Sequence, residues 1–155
     1  MDSFQLIQKN KVAIGLKNVT RAEEALIDEY PCFPVLQSSL MLEMMAQVGG
    51  VLVGASIDFR REVVLAKIAN AEFEAAVGTP SALKIEARLV ELGEDAAMTS
   101  CEITREGKRV ARSEIFFGLF ERLGDDGKRS MVFSEDFMES YNIRRLIQDS
   151  KGAAC

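Results

Sequence analysis

The sequence predicts one α+β domain in which an antiparallel sheet wraps a buried helix, and two patterns carry this prediction. Residues 40–57, LMLEMMAQVGGVLVGASI, are apolar on every side of a helix apart from Glu43, Gln47 and Ser56, as in a helix that is buried all round. Downstream, strand-like segments alternate with turn signals that are too short to hold crossover helices. A chain of 155 residues, 48% of them hydrophobic, is also the size of one ordinary domain.

Five segments are predicted to form the sheet. A short strand at 12–19 precedes the helix, and strands at 63–77, 81–92, 96–104 and 109–120 follow it. Period-two alternation is clearest between residues 83 and 89, as in a half-buried strand. The order of one strand, a helix and then a meander is typical of a sheet that wraps a single helix.

Two details of the helix are also predicted. Ser38 or Ser39 is expected to cap its N-terminus, because a short hydroxyl there accepts a hydrogen bond from an otherwise unpaired backbone N–H. Gly49, Gly50 and Gly54 indicate that another part of the chain, expected to be backbone, approaches the helix closely.

The C-terminal region is expected to be an extension of this domain. Residues 124–127, GDDG, form a predicted linker, which divides the chain into a domain at 1–123 and a helical extension at 124–155. Ser134 is expected to cap a second helix, with two acids in its first turn. Its apolar stripe consists of Phe137, Tyr141, Ile143, Leu146 and Ile147. We expect this helix to pack back on its own domain or on a dimer mate; a dedicated partner-binding helix is the alternative.

Charge and cysteine content exclude several classes of function. The net charge of −5, with acids and bases interleaved, leaves no basic face for nucleic acid. Three clusters could form a local patch for an acidic carrier protein or could be solvated surface charge: Arg60-Arg61, Lys108-Arg109-Arg112 and Arg144-Arg145. The three cysteines stand at unrelated spacings, so we expect neither a metal site nor a cofactor.

The expected location is a reduced cytoplasm. The N-terminal residues MDSFQLIQKNK lack the apolar stretch of a signal peptide. A membrane span at 40–57 is disfavoured, because a carboxylate and an amide lie one turn apart in it and three glycines interrupt it.

Glu43 is the best catalytic candidate of this chain, which contains no histidine and therefore performs no imidazole chemistry. An ionised carboxylate inside an apolar helix is costly unless it is paired, hydrogen-bonded or protonated. Gln47 lies one turn on and on the same face, so it could orient Glu43 or bond the opposite strand. The alternative is that Glu43 only caps or bonds a neighbouring backbone.

Residues 16–52, LKNVTRAEEALIDEYPCFPVLQSSLMLEMMAQVGGVL, resemble the signature region of the 3-hydroxyacyl-acyl-carrier-protein dehydratases, which have a hot-dog fold. The family pattern runs roughly KNVT, then GHFPGxPxxPGVLxxEAMAQ, and it aligns with this chain without a gap. The match covers about a quarter of the sequence. The matching residues are Lys17, Asn18, Val19, Thr20, Pro31, Pro34, Leu40, Glu43, Met45, Ala46 and Gln47.

The resemblance implies a site built from two subunits. In the family, a histidine acts as base beside the thioester carbonyl, and a glutamate of the other subunit assists departure of the hydroxyl. Backbone N–H groups of the loop glycine and of the helix N-terminus polarise the thioester oxygen. This chain departs from the pattern, with Glu29 at the histidine position, Asp28 and Cys32 at two glycine positions, and Gln37-Ser38 in place of the PG before the helix.

Carried over residue by residue, the resemblance implies catalytic Glu43 and Glu29. The substrate-binding residues would be Cys32, Gln47, Pro31, Phe33 and Met44. Cys32 is expected to fill the place of the glycine as a small residue; a reactive thiol beside a helix N-terminus is the alternative. The implied ligands are thioesters of acyl-carrier protein or coenzyme A, and the implied assembly is a homodimer or a heterodimer with a histidine-containing paralogue. An apolar tunnel is expected beside the helix, lined by residues such as Met41, Met44, Met45 and Phe73, although methionines at this spacing could be plain core.

Glu29 at the base position indicates lost or altered dehydratase activity. A carboxylate with an ordinary pKa of about 4 is a weaker base at neutral pH than a histidine with a pKa of about 6.5. A second carboxylate in the same pocket would raise one of the two pKa values, so an active divergent dehydratase that uses Glu29 and Glu43 is an alternative. A thioesterase in which Glu43 activates water, or a non-catalytic subunit of a heterodimeric dehydratase, are further alternatives.

Overall fold

The computed structural model describes residues 1–21, 35–121 and 132–152. In these residues a sheet wraps one long helix, which confirms the predicted α+β class. The strands are β1 Ser3–Gln8, β2 Val12–Val19, β3 Glu62–Phe73, β4 Ser81–Leu92, β5 Ala96–Arg105 and β6 Lys108–Phe120. The helices are α1 Ser38–Ser56, α2 Glu135–Ser140 and α3 Ile143–Gly152.

The strands of the sheet follow the order β1-β2-β4-β5-β6-β3, and every neighbouring pair is antiparallel. The predicted meander is correct for β4, β5 and β6 and wrong for β3, which pairs with β6 at the far edge instead of with β4. The connection from β3 to β4 passes the start of α1, where Leu36 N–H donates to the carbonyl of Val77 at 2.8 Å. β3 and β4 therefore flank the other two strands.

The helix α1 is buried all round only in its C-terminal half. Every residue from Val48 to Ala55 is buried. In the N-terminal half, Ser38, Ser39 and Glu43 are exposed, and four other residues are half-buried: Leu40, Leu42, Ala46 and Gln47. The prediction of complete burial is wrong for this half, because no described element covers the face that carries Glu43. By length and composition α1 could cross a membrane, but 61% of its apolar window is buried inside the fold.

The predicted serine cap of α1 is wrong. The helix begins after Gln37, and among the described residues no side chain caps it. The Ser39 hydroxyl donates instead to Oε1 of Gln37 at 3.2 Å. The first backbone N–H groups of α1, which have no partner within the helix, therefore receive no side-chain cap from the part of the chain that the structure describes.

The close approach predicted at the helix glycines is present, but the atoms that approach the helix belong to side chains and not to backbone. A Cβ on Gly49 would lie 2.9 Å from Oγ1 of Thr99, and one on Gly54 would overlap the ring of Phe59. Because methyl groups do not fit here, the glycines let the sheet and the segment after the helix pack against α1.

The C-terminal extension packs on its own domain, as expected, although it forms two helices and not one. Asn142 stands between them with φ 51, a left-handed conformation that ends helices. The N-cap prediction is confirmed, since Phe137 N–H donates to the Ser134 hydroxyl at 3.2 Å. Met138 and Ile143 are buried in the core, and α3 packs against β1.

Candidate active site

Glu43 and Gln47 form a hydrogen-bonded pair on a face of α1 that the described residues leave partly exposed. The Gln47 amide donates from Nε2 to Oε1 of Glu43 at 2.9 Å, across one turn of the helix. Glu43 is exposed and Gln47 is half-buried. The structure thus shows one of the two arrangements expected of Gln47, in which it orients the carboxylate, and it shows the carboxylate open to solvent and not inside an apolar core.

An open cavity of about 660 Å³ lies at the N-terminus of α1. It is lined by residues 35–39 and Met41 on one side and by the end of β3 with the following residues, 73–76, on the other. Met41 and Phe73, two of the expected tunnel residues, both line this cavity. The first turn of α1, which no described side chain caps, forms part of its wall. Backbone N–H groups of such a turn can polarise a carbonyl oxygen.

Met44 and Met45 belong to the hydrophobic core. Their exposed fractions are 5% and 0%, and neither lines the cavity. For Met45 the structure therefore favours plain core over a tunnel wall. Met44 lies beside Glu43 in the chain but on a face of α1 that is packed.

The predicted basic clusters each contain an arginine that is paired with an acid. Arg109 Nε lies 2.7 Å from Oε1 of Glu74, and Arg112 Nη2 lies 2.7 Å from Oε2 of Glu72. The Asn70 amide and the Arg112 guanidinium together hold the pKa of Glu72 below its ordinary value. Arg61 likewise pairs with Asp95 and Arg144 with Glu135. In each cluster at least one arginine is thus already paired with an acid of this chain, which favours ordinary surface charge over a patch for an acidic carrier protein.

Thr99 and Cys101 form a small polar group that is buried between α1 and the sheet, and no sequence pattern indicates it. The Cys101 thiol donates to the Met45 carbonyl at 3.6 Å and lies 3.5 Å from the Thr99 hydroxyl. Burial raises the pKa of the Cys101 thiol to about 11, with the Thr99 hydrogen bond opposing that shift. The neutral thiol is a structural residue and not a nucleophile.

Several residues of the predicted site lie outside the described residues. They are Glu29, Pro31, Cys32 and Phe33. The structure thus brings together Glu43 and Gln47 and places Met44 in the core. It also places Gln37 and Glu74, which were not predicted as substrate-binding residues, at the cavity. The sequence does not predict this cavity, because it lies between the start of α1 and the end of β3, which are far apart in the sequence.

Curated relatives of the chain are bacterial dehydratases. The chain is 30% identical over 118 residues to the 3-hydroxyacyl-acyl-carrier-protein dehydratase FabZ of Clostridium acetobutylicum, covering 76% of this chain and 84% of the relative. It is 33% identical over 117 residues to the FabZ of Bartonella quintana, covering 74% and 76%.

Solved structures with low sequence identity share the fold. Conserved protein PA5202 of Pseudomonas aeruginosa matches with a TM-score of 0.65 at 17% identity, covering 76% of this chain and 87% of that one. A hypothetical thioesterase of Streptococcus pneumoniae, crystallised with coenzyme A, matches with a TM-score of 0.63 at 13% identity, covering 79% and 88%. With the sheet order and the central helix, these likenesses confirm the hot-dog fold.

No family model matches the sequence. The identity to the dehydratases nevertheless extends well beyond residues 16–52, over about three quarters of the chain. The chain belongs to the 3-hydroxyacyl-acyl-carrier-protein dehydratase FabZ family.

Proposed function

We propose that this protein binds acyl thioesters of acyl-carrier protein or coenzyme A beside α1, and that its dehydratase activity is lost or altered. The observation that carries the proposal is the Glu43–Gln47 pair on the open face of α1 in a chain without histidine. The glutamate of the family site is retained, and the imidazole base is absent. An ordinary carboxylate is a weak base near neutral pH, so proton abstraction by Glu29 would be slow.

The thioester end of the ligand is proposed to lie near the N-terminus of α1. The cavity there is open, and its wall includes the first turn of the helix, which no described side chain caps. Backbone N–H groups at a helix N-terminus stabilise negative charge on a carbonyl oxygen. Residues 29–33, which precede this turn in the chain, are proposed to complete the site.

The proposed assembly is a dimer that forms through β3. One edge of β3 pairs with β6, and no described strand covers its other edge. Its side chains include unusually exposed apolar residues, with 38% exposure for Val64, 46% for Leu65 and 38% for Ile68. An open apolar edge strand favours pairing with another chain. A second copy, or a histidine-bearing paralogue, would then bring its own loop to the site.

Thioester hydrolysis is a second candidate, favoured by the solvent exposure of Glu43. A carboxylate open to water can take a proton from it as the oxygen attacks the thioester carbonyl. The carbon–sulfur bond then breaks, and the thiolate leaves and takes up a proton. The coenzyme A in the pneumococcal structure is a property of that protein, and it supports the choice of coenzyme A thioesters as test ligands here.

The proposal is tested by assaying the purified protein for binding and turnover together. Binding of a non-hydrolysable acyl-coenzyme A analogue is measured by calorimetry, and dehydration and thiol release are followed on 3-hydroxyacyl and acyl thioesters. We expect binding without ordinary dehydration, and a gain of dehydration in Glu29→His. We expect Glu43→Ala to abolish that gain.

Glu139→Ala is the matched control, because Glu139 is an exposed glutamate on a helix remote from the cavity. It is expected to behave like the parent protein. Rapid dehydration by the wild-type homodimer would overturn the claim of altered activity. Rapid thiol release that requires Glu43 would establish the thioesterase instead, and absence of all binding would overturn the proposal.

A further inference from the structure

Within the described residues, the face of α1 that carries Glu43 is exposed at its N-terminal end and covered at its C-terminal end. Gly50 and Gly54 follow Glu43 by seven and eleven residues, so on a helix they lie within roughly 20° of it. A Cβ on Gly50 would lie 3.0 Å from Cζ of Phe133, and one on Gly54 would overlap Phe59. The rings of Phe59 and Phe133 meet edge to face, with their centroids 6.0 Å apart.

The ring of Phe133 is part of a row of aromatic side chains that ties the C-terminal extension to the domain. Its centroid is 5.3 Å from that of Phe137, which is 4.8 Å from that of Tyr141. Tyr141 in turn contacts Phe4 at 5.5 Å, and its hydroxyl donates to the Met1 carbonyl at 2.9 Å. These contacts hold Phe133 in place over the helix.

The surface of α1 between Glu43 and the row of aromatic side chains is partly apolar. Ala46, which lies between Glu43 and Gly50 along the helix, is half-buried, and so is Phe133 itself. The distance along the helix axis from Glu43 to Gly50 is about 10 Å, at 1.5 Å per residue. An apolar chain that starts beside Glu43 and lies along this face would meet the ring of Phe133 after that distance.

We propose that Phe133 limits the length of the acyl chain that this protein accepts. The inference rests on the proposed function, because it takes the thioester to lie beside Glu43. The acyl tail runs from there past Ala46 toward the C-terminal end of α1 and stops against Phe133. Short and medium acyl chains fit, and long saturated chains are rejected because their terminal carbons would have to displace a packed aromatic ring.

The cavity at the start of α1 offers a competing path for the tail. It is lined by Phe73, which is 39% exposed, and it lies at the opposite end of the open face from Phe133. A tail in that cavity would respond to a change at Phe73 and not at Phe133. One substitution at each phenylalanine therefore distinguishes the two possible paths of the acyl tail.

The test compares dissociation constants of butyryl, octanoyl and palmitoyl thioether analogues of coenzyme A, which cannot be hydrolysed. We expect the wild type to bind octanoyl at least about tenfold more tightly than palmitoyl, the size of discrimination that apolar pockets achieve. Phe133→Ala should remove most of that preference. Phe133→Trp should move it toward butyryl. Phe120→Ala, a change at an exposed phenylalanine at the end of β6, is the matched control and should leave the preference unchanged.

Phe133→Leu is a milder substitution that replaces Phe133→Ala if the alanine variant does not fold. Thermal melting checks that each variant is folded. An unchanged preference in the leucine and tryptophan variants overturns the inference, and so does a preference that shifts in Phe73→Ala instead. A wild type that binds all three lengths equally also overturns it while leaving the proposed function in place. Only a failure to bind any analogue would overturn both.

Discussion

The side chains of Glu43 and Gln47 are joined across one turn of α1 by a hydrogen bond of 2.9 Å from Nε2 to Oε1. The bond holds the carboxylate on the helix face that the rest of the described chain leaves open. Gln47 is therefore a positioning residue for Glu43, and its contribution can be measured separately from that of the carboxylate.

Removal of the amide should slow turnover more than it weakens binding. We expect Gln47→Leu to lower kcat by about fivefold, since a hydrogen bond of this kind contributes about 1 kcal/mol, with little change in KM. The rate is measured for whichever thioester reaction the protein or its Glu29→His variant catalyses. Gln47→Lys keeps a donor one turn from Glu43 and should recover part of the loss. Equal defects in the leucine and lysine variants would mean that the amide has no orienting role.

The central helix and the strand β4 were predictable from the sequence because their hydrophobic patterns run without interruption. The apolar run at 40–57 and the alternation at 83–89 report local geometry that packing then reinforces. β1 was missed because its pairing with β2 shifts register between Phe4 and Leu6. The bulge interrupts the period-two pattern by which a short strand is recognised.

The surroundings of the site were not predictable from the same patterns. An apolar helix indicates that burial occurs, but not which neighbour covers each face. Gly50 is covered by Phe133 from the C-terminal extension, whereas Glu43 on the same face is open. The cavity depends on the path of residues 74–80 past the start of α1, and that path follows from the pairing of β3 with β6.

A charge on the open edge of β3 should weaken the proposed dimer. In Leu65→Lys, an exposed leucine of β3 becomes a cation, and symmetry places two such charges at one interface. We expect a shift from dimer to monomer in sedimentation velocity at micromolar concentration. Val90→Lys is the control, because Val90 is exposed at 57% on β4, away from that edge. A dimer that survives Leu65→Lys unchanged would place the interface elsewhere.

A methyl group at Gly54 should destabilise the fold. The added Cβ would overlap the Phe59 ring. Phe59 is held beside Gly54 because its N–H donates to the Gly54 carbonyl at 2.8 Å and its ring packs against Phe133. Overpacking of this kind costs about 1–3 kcal/mol, partly offset by the better helix propensity of alanine. The free energy of unfolding in urea should therefore fall in Gly54→Ala. Gly78→Ala, where a Cβ would meet nothing within 4 Å, should change it by less than about 0.5 kcal/mol.

The buried thiol of Cys101 should make stability fall at alkaline pH. Burial raises the pKa of this thiol from 9.0 to about 11, so between these values the folded protein keeps a proton that the unfolded chain releases. The stabilisation is complete below pH 9 and is lost as the pH rises to 11, with a slope of at most about 1.4 kcal/mol per pH unit. Urea unfolding of the wild type and of Cys101→Ala, each measured below pH 9 and near pH 11, isolates this effect because the other titrating groups are shared. The variant should lose less stability than the wild type over this range, and parallel losses would show that the thiol is not buried as described.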